Sequence, residues 1–331
     1  MNNKVHTACR LLSVLSMLLT AGAVIAQRPP VDAYAAKPLT MLIPAAAGGA
    51  TELETRMYTQ KITENTGQQI IYDYRPGAGS TIGYAYVAKA APDGYMLLMT
   101  TSSFTISPYI HKNLAYNHEK DFAPVSLMSK RPYLLVVHPS LPARSVKEYI
   151  AYAKANPGAI NFATTGVGGA IHLAGAWLHH ASGINTTYVH YKGASAIYTD
   201  LNTGRVQATL AQPMSALPSL KTGKLLIIGV STTERLALFP DIATAAEQGA
   251  TGYNYSGWLG YMAPGATPVA ILNRLSAELA KAAKSPDIAR KLTEEGSIVV
   301  GSTVEQFRQH IAKENDSWRS VIRDIGIKLE E

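Results

Sequence analysis

The residues that could do chemistry in this chain are small ones, gathered at the ends of predicted strands. Four short loops follow strands and lead into helix starts: Ala45 to Thr51, Gly77 to Thr81, Thr101 to Phe104, and Thr165 to Ile171. A helix start presents unsatisfied backbone N–H groups and the positive end of the peptide dipoles, so each such loop can hold an anion. Glycine lets a ligand approach the backbone closely. In open α/β sheets ligands sit beyond the carboxyl ends of the strands. Two loops of this kind facing one another across a cleft would hold a carboxylate between them.

Other chemistry is searched for and not found. No Gly-x-Ser-x-Gly elbow, no His-Glu-x-x-His and no phosphate-binding Gly-x-x-x-x-Gly-Lys loop occurs. His179 and His180 are adjacent, so on a helix they point to different sides and cannot share a metal. His172 lies seven residues before His179, but no carboxylate joins that face. Gly77-Ala78-Gly79 and Gly166-Val167-Gly168 start like a dinucleotide fingerprint, yet Ile82 and Ile171 stand where its third glycine belongs. The expectation is therefore no enzyme, no metal and no cofactor.

These loops need elements to position them. Strands are read at Leu39–Ile43, 69–73, 95–99, 125–128, 134–137, 160–164, 187–190, 206–210, 225–230 and 258–262. Between them lie helices at 51–65, 81–90, 145–155, 171–181 and 194–202, followed by 270–283, 286–295 and 304–325. Thr51 with Glu54 three residues on reads as a capping box, and Ser145 reads as an N-cap. Strands alternating with helices predict parallel α/β sheets.

The N-terminus carries Lys4 and Arg10, then an apolar run from Leu11 to Ile25, then small residues around Ala26. This order reads as a secretory signal peptide over 1–26, cut after Ala26. The run is short for a membrane span, which takes about 20 apolar residues. Cys9 precedes the apolar run, so the mature chain has no cysteine and uses neither disulfides nor thiolate chemistry. Removing Lys4 and Arg10 from 30 basic residues leaves 28 against 23 acidic ones. Without a dense basic block this excludes the usual nucleic-acid binder, while the mild positive field suits an anion.

The chain also resembles a known family. The residues that carry the resemblance are Pro44-Ala45-Ala46-Ala47-Gly48-Gly49-Ala50-Thr51 and Arg75-Pro76-Gly77-Ala78-Gly79-Ser80-Thr81-Ile82-Gly83. Ala91-Pro92-Asp93-Gly94-Tyr95, Lys120-Asp121-Phe122-Ala123-Pro124-Val125, Tyr191-Lys192-Gly193 and Ala263-Pro264-Gly265-Ala266-Thr267-Pro268 follow in the same order. They resemble the tripartite tricarboxylate transporter solute-binding proteins, the Bug or TctC family. The resemblance runs from about Lys37 to the C-terminus.

It implies an α/β two-domain periplasmic-binding-protein (Venus flytrap) fold with the ligand cleft between the domains. Residues 27–130 with 256–331 would form one domain and 131–255 the other. The implied function is a monomeric periplasmic receptor for a small carboxylate: a di- or tricarboxylate, an aromatic acid or an acidic amino acid. Its partner would be a tripartite tricarboxylate-type membrane transporter. Two alternatives stand beside it, a ligand-sensing partner of a regulatory membrane protein and an α/β hydrolase or lyase. By position the implied ligand-binding residues are Ala46, Ala47, Gly49, Ala50, Thr51 and Glu52, then Ser102 and Ser103. In the second domain they are Thr165, Gly166, Gly168, Gly169, His172, Tyr191 and Ala194. The chain departs from the family pattern at Glu52 (usually Asp), His190 (usually Pro) and Leu210-Ala211 (often Phe-Asp). Glu52 has a second reading, as complement to the positive end of its helix.

Overall fold

The computed structural model describes residues 37–45, 47, 50–165, 169–191 and 194–325. The signal peptide expected over 1–26 lies outside them. Among the described residues no helix is long and apolar enough to cross a membrane. The chain starts with β1 (Leu39–Ile43), α1 (Ala50–Thr66), β2 (Ile70–Tyr74), α2 (Thr81–Ala88), β3 (Met96–Thr101), α3 (Ser103–Ile110) and β4 (Phe122–Pro132). It continues through β5 (Leu134–Val137), α4 (Val146–Ala155), β6 (Asn161–Thr164), α5 (Ala170–Ser182) and β7 (Thr187–His190). Next come α6 (Ala194–Leu201), β8 (Ala208–Ala211), α7 (Pro213–Lys221) and β9 (Leu226–Val230). Last are β10 (Ser256–Pro264), α8 (Val269–Ala283), α9 (Pro286–Glu294), β11 (Ile298–Val299) and α10 (Val304–Ile325).

Two mixed sheets result, ordered β11-β4-β10-β3-β1-β2 and β7-β6-β8-β5-β9. The first is parallel where β-α-β units build it, β1 with both β2 and β3. It departs from the expected all-parallel pattern because β10 inserts antiparallel between β3 and β4. In the second sheet β6 runs parallel to β7 and β8, while β5 pairs antiparallel with β8 and β9. A single residue, Tyr133, separates β4 of one sheet from β5 of the other. Both parallel halves therefore end their strands in the loops that lead to α1, α3, α5 and α6.

Two aromatic-rich cores hold these layers. Leu42, Tyr84, Leu98, Phe104, Phe122, Trp258 and Phe307 pack on the first sheet. Leu135, Tyr149, Phe162, Leu173, Leu178 and Trp318 pack on the second. The helix α10 serves both, since Phe307 sits in the first core and Trp318, Val321 and Ile322 in the second. Full burial of each such large side chain is worth roughly 1.5–3 kcal/mol. At Gly260 on β10 an added Cβ would stand 2.4 Å from the Phe307 ring, so only glycine lets the helix come this close.

The Thr51–Glu54 capping box does not form. The helix starts one residue earlier, at Ala50. The Glu54 carboxylate instead accepts the Tyr58 hydroxyl at 2.7 Å and pairs with Arg131 near the end of β4. Glu54 is 3% exposed, and a buried arginine needs a carboxylate beside it more than a helix start needs a reciprocal cap. Ser145 does cap α4, accepting from the Glu148 amide at 3.1 Å.

Candidate functional site

The loop after β1 is described at Pro44, Ala45 and Ala47, with α1 opening at Ala50 and Thr51. Ala47 is exposed and Thr51 half-buried. The Thr51 carbonyl accepts the Thr55 hydroxyl at 2.8 Å. Glu52 is 4% exposed, and its carboxylate accepts from Arg56 Nε at 2.7 Å and from the Tyr74 hydroxyl at 2.5 Å. It therefore ties the first turn of α1 to the end of β2, and Arg56 offsets its charge. Ala46 and Gly49 lie outside the described residues.

The loop after β3 supplies hydroxyls. Ser103 Oγ lies 2.8 Å from Thr101 Oγ1 and 3.1 Å from the Tyr84 hydroxyl. Ser102 has helical backbone angles and its side chain makes no capping bond. Burial pushes the Tyr255 phenol well up, with the nearby Ser102 hydroxyl opposing it.

On the second sheet the loops after β6 and β7 converge. Thr164 Oγ1 lies 2.6 Å from His190 Nδ1, and the Tyr191 amide donates to the Thr164 carbonyl at 2.8 Å. His172 sits on the first turn of α5, its ring edge-on to His190 at 5.0 Å and to Tyr188 at 4.9 Å. Burial lowers the His172 pKa, and His190 lowers it further, so a neutral ring is favoured. Gly169 is the N-cap of α5 and offers no side chain to the helix start. Thr165 is half-buried beside it. The Tyr191 hydroxyl donates to Asp200 at 2.8 Å, and burial first, then that carboxylate, pushes its pKa up to about 12. Ala194 opens α6. Gly166 and Gly168 lie outside the described residues.

A hollow of about 190 Å³ adjoins these loops, and sequence reasoning missed it. Its walls include Tyr133, Ile171, Tyr198, Gln212 and Ser215. Tyr133 comes from the crossing between the sheets, and its ring lies 5.5 Å from that of Tyr255. Tyr133 thus joins the ring of Tyr255 to a hollow that Gln212 also lines. The local signal was Gln212-Pro213 with Ser215 directly after an apolar strand, a start of α7 that resembles the other strand-to-helix loops.

The chemistry available is that of a neutral polar site. The candidate residues that are described contain no lysine or arginine, and the one carboxylate among them, Glu52, already has two donors. An anion here would meet backbone amides, the positive ends of helices and hydroxyls. Among the described residues no three His, Cys, Asp or Glu side chains converge to hold a metal ion.

Known proteins are similar to this chain in sequence and in fold. The BugT protein of Bordetella pertussis is 32% identical over 97% of this chain and 98% of its own length. A solved structure from Rhodopseudomonas palustris, Rpa4515 with adipate, superposes with a TM-score of 0.77 at 29% identity, covering 90% of this chain and 100% of that one. MatC (Rpa3494) from Rhodopseudomonas palustris with bound malate gives 0.73 at 29% identity, covering 86% and 99%. The family model for the tripartite tricarboxylate transporter family receptor, TctC, matches residues 55–327. The protein described here, with its two mixed sheets and its strand-end loops, belongs to that receptor family.

Proposed function

We propose that this protein is an exported, monomeric receptor that captures a small carboxylate at the carboxyl ends of β1, β3, β6 and β7 and presents it to a tripartite tricarboxylate-type membrane transporter. One observation carries the reading. The candidate residues place helix starts without side-chain caps at Ser102 and Gly169, beside hydroxyls and a neutral histidine, with no fixed cation. Such a site suits a carboxylate held by amides and dipoles. The relatives with adipate and with malate support the same ligand class. The hollow bounded by Tyr133, Tyr198, Gln212 and Ser215 would take the distal part of the ligand, since it offers polar groups on an otherwise apolar wall. Residues 27–130 with 256–331 would move as one domain against 131–255, closing over the ligand.

The test is a thermal-shift panel of di- and tricarboxylates, aromatic acids and acidic amino acids on protein unfolded and refolded to strip bound ligand. A ligand at 100 times its Kd adds about 2.7 kcal/mol of stability. A clear shift with one acid class supports the proposal; no shift with any acid overturns it.

A further inference from the structure

A second polar surface lies away from these loops, at the β4–β11 edge of the first sheet, the opposite edge from β1 and β2. Two hollows of about 430 Å³ and 410 Å³ meet there and share Lys130, Val300, His310 and Lys313 as walls. The lower hollow adds Lys284, Gln306 and Gln309 and contains no acidic side chain. The upper one extends past Glu314 to Thr232, Glu234, Arg235 and Asn254, which belong to the segment between β9 and β10, so the excess of positive charge lies in the lower hollow.

The charge of this groove is unbalanced. Lys130 sits on β4, Lys284 at the end of α8 and Lys313 on α10. Lys284 and Lys313 are exposed and Lys130 half-buried. Some other basic residues of this chain find carboxylates: Arg131 has Glu54, Lys61 has Asp287 and Arg235 has Glu247. Among the described residues these three lysines form no ion pair, and what sets them apart is that they line one groove. Glu314 forms no ion pair with them: its Oε2 accepts the indole N–H groups of Trp258 at 3.3 Å and Trp318 at 3.2 Å, and it meets Lys130 only through the field between them. His310 faces both hollows, with its Nε2 buried and without a hydrogen-bond partner. Burial first, then Lys130 and Lys313, push its pKa down to about 4, which reports the positive field from within.

We infer that this groove is a docking surface for an acidic stretch of a partner polypeptide. Charge complementarity selects the occupant. Three lysines without an ion pair among the described residues come from three separate elements along two joined hollows, so one small carboxylate cannot satisfy them together. An extended chain with several Asp or Glu side chains can. The inference is independent of the carboxylate site, since no residue of the groove belongs to it.

The test is fluorescence anisotropy with a labelled hexaglutamate peptide on the full protein at low salt, with hexalysine as the opposite-charge control. Hexaglutamate binds and hexalysine does not. The K130Q/K284Q/K313Q variant weakens hexaglutamate at least tenfold. The milder K284Q/K313Q variant, confined to exposed helix positions, weakens it at least threefold. A K89Q/K147Q/K221Q variant, which removes the same charge elsewhere, stays within twofold. The His310 resonance titrates at higher pH when the peptide is bound. Absence of binding at 1 mM hexaglutamate, or equal losses in the two triple variants, overturns the inference.

Discussion

Lowering the pH from 7.5 to 5.5 should destabilise this protein through two buried histidines. His179 lies between the Tyr149 hydroxyl at 3.0 Å on one ring nitrogen and the Tyr188 and Thr186 hydroxyls at 2.8 and 3.0 Å on the other. Burial pushes its pKa down to about 3, and His310 is pushed down to about 4, both from an ordinary 6.5. In the folded state both rings stay neutral through this window, while in the unfolded chain they take up protons below 6.5. The stability they contribute is therefore present above pH 6.5 and is lost as the pH falls toward the folded values. Each ring costs about 1.4 kcal/mol over the two pH units, about 3 kcal/mol together. His118 and His172 are also lowered and act in the same direction. Glu314, raised by burial, works in the opposite sense as the pH falls, so the measurement is repeated in Glu314→Gln. The assay is urea denaturation at pH 7.5, 6.5 and 5.5, with histidine Cε1–H resonances followed alongside. Two rings that stay neutral to pH 5, with a fall of 2 kcal/mol or more, are expected. A fall below 1 kcal/mol in both proteins, or rings that titrate near 6.5, would refute the reasoning.

Arg131→Ala leaves the Glu54 carboxylate buried with only the Tyr58 hydroxyl, and should cost roughly 3–5 kcal/mol in urea denaturation. Gly260→Ala pushes a Cβ against the Phe307 ring and should cost about 1–3 kcal/mol, visible as a lower Tm. Tyr191→Phe removes the hydroxyl that donates to Asp200 and should lower stability by about 0.5–1.5 kcal/mol.

Much of this architecture was legible before the structure. The helix α10 falls where its amphipathic spacing puts it, over 304–325, and the strands β1, β5 and β7 match residue for residue. Strong periodicity and clear boundaries explain these. The helix α7 was missed because Pro218 interrupts a nine-residue segment, and β11 because two residues carry no period. β4 proved longer than its apolar run: Phe122 to Pro124 and Ser129 to Pro132 join it through pairing with β10, which no local pattern encodes. The site divides in the same way. Ser102, Ser103, Thr165 and Gly169 were named through the family resemblance, and they stand in the loops that follow β3 and β6. Tyr133, Tyr198, Gln212 and Ser215 could not be located, since they meet only through the packing of three separate segments. The role of Glu52 needed Arg56 and Tyr74 in place, the latter 22 residues away.

Calorimetric titration of the refolded mature protein with the acid that shifts its Tm most tests the central claim most directly. The account predicts saturable binding of one carboxylate per chain, weakened at least tenfold when the acid is replaced by its neutral amide. Equal binding of the amide, or no heat with any carboxylate, would contradict a site built from helix starts and backbone amides.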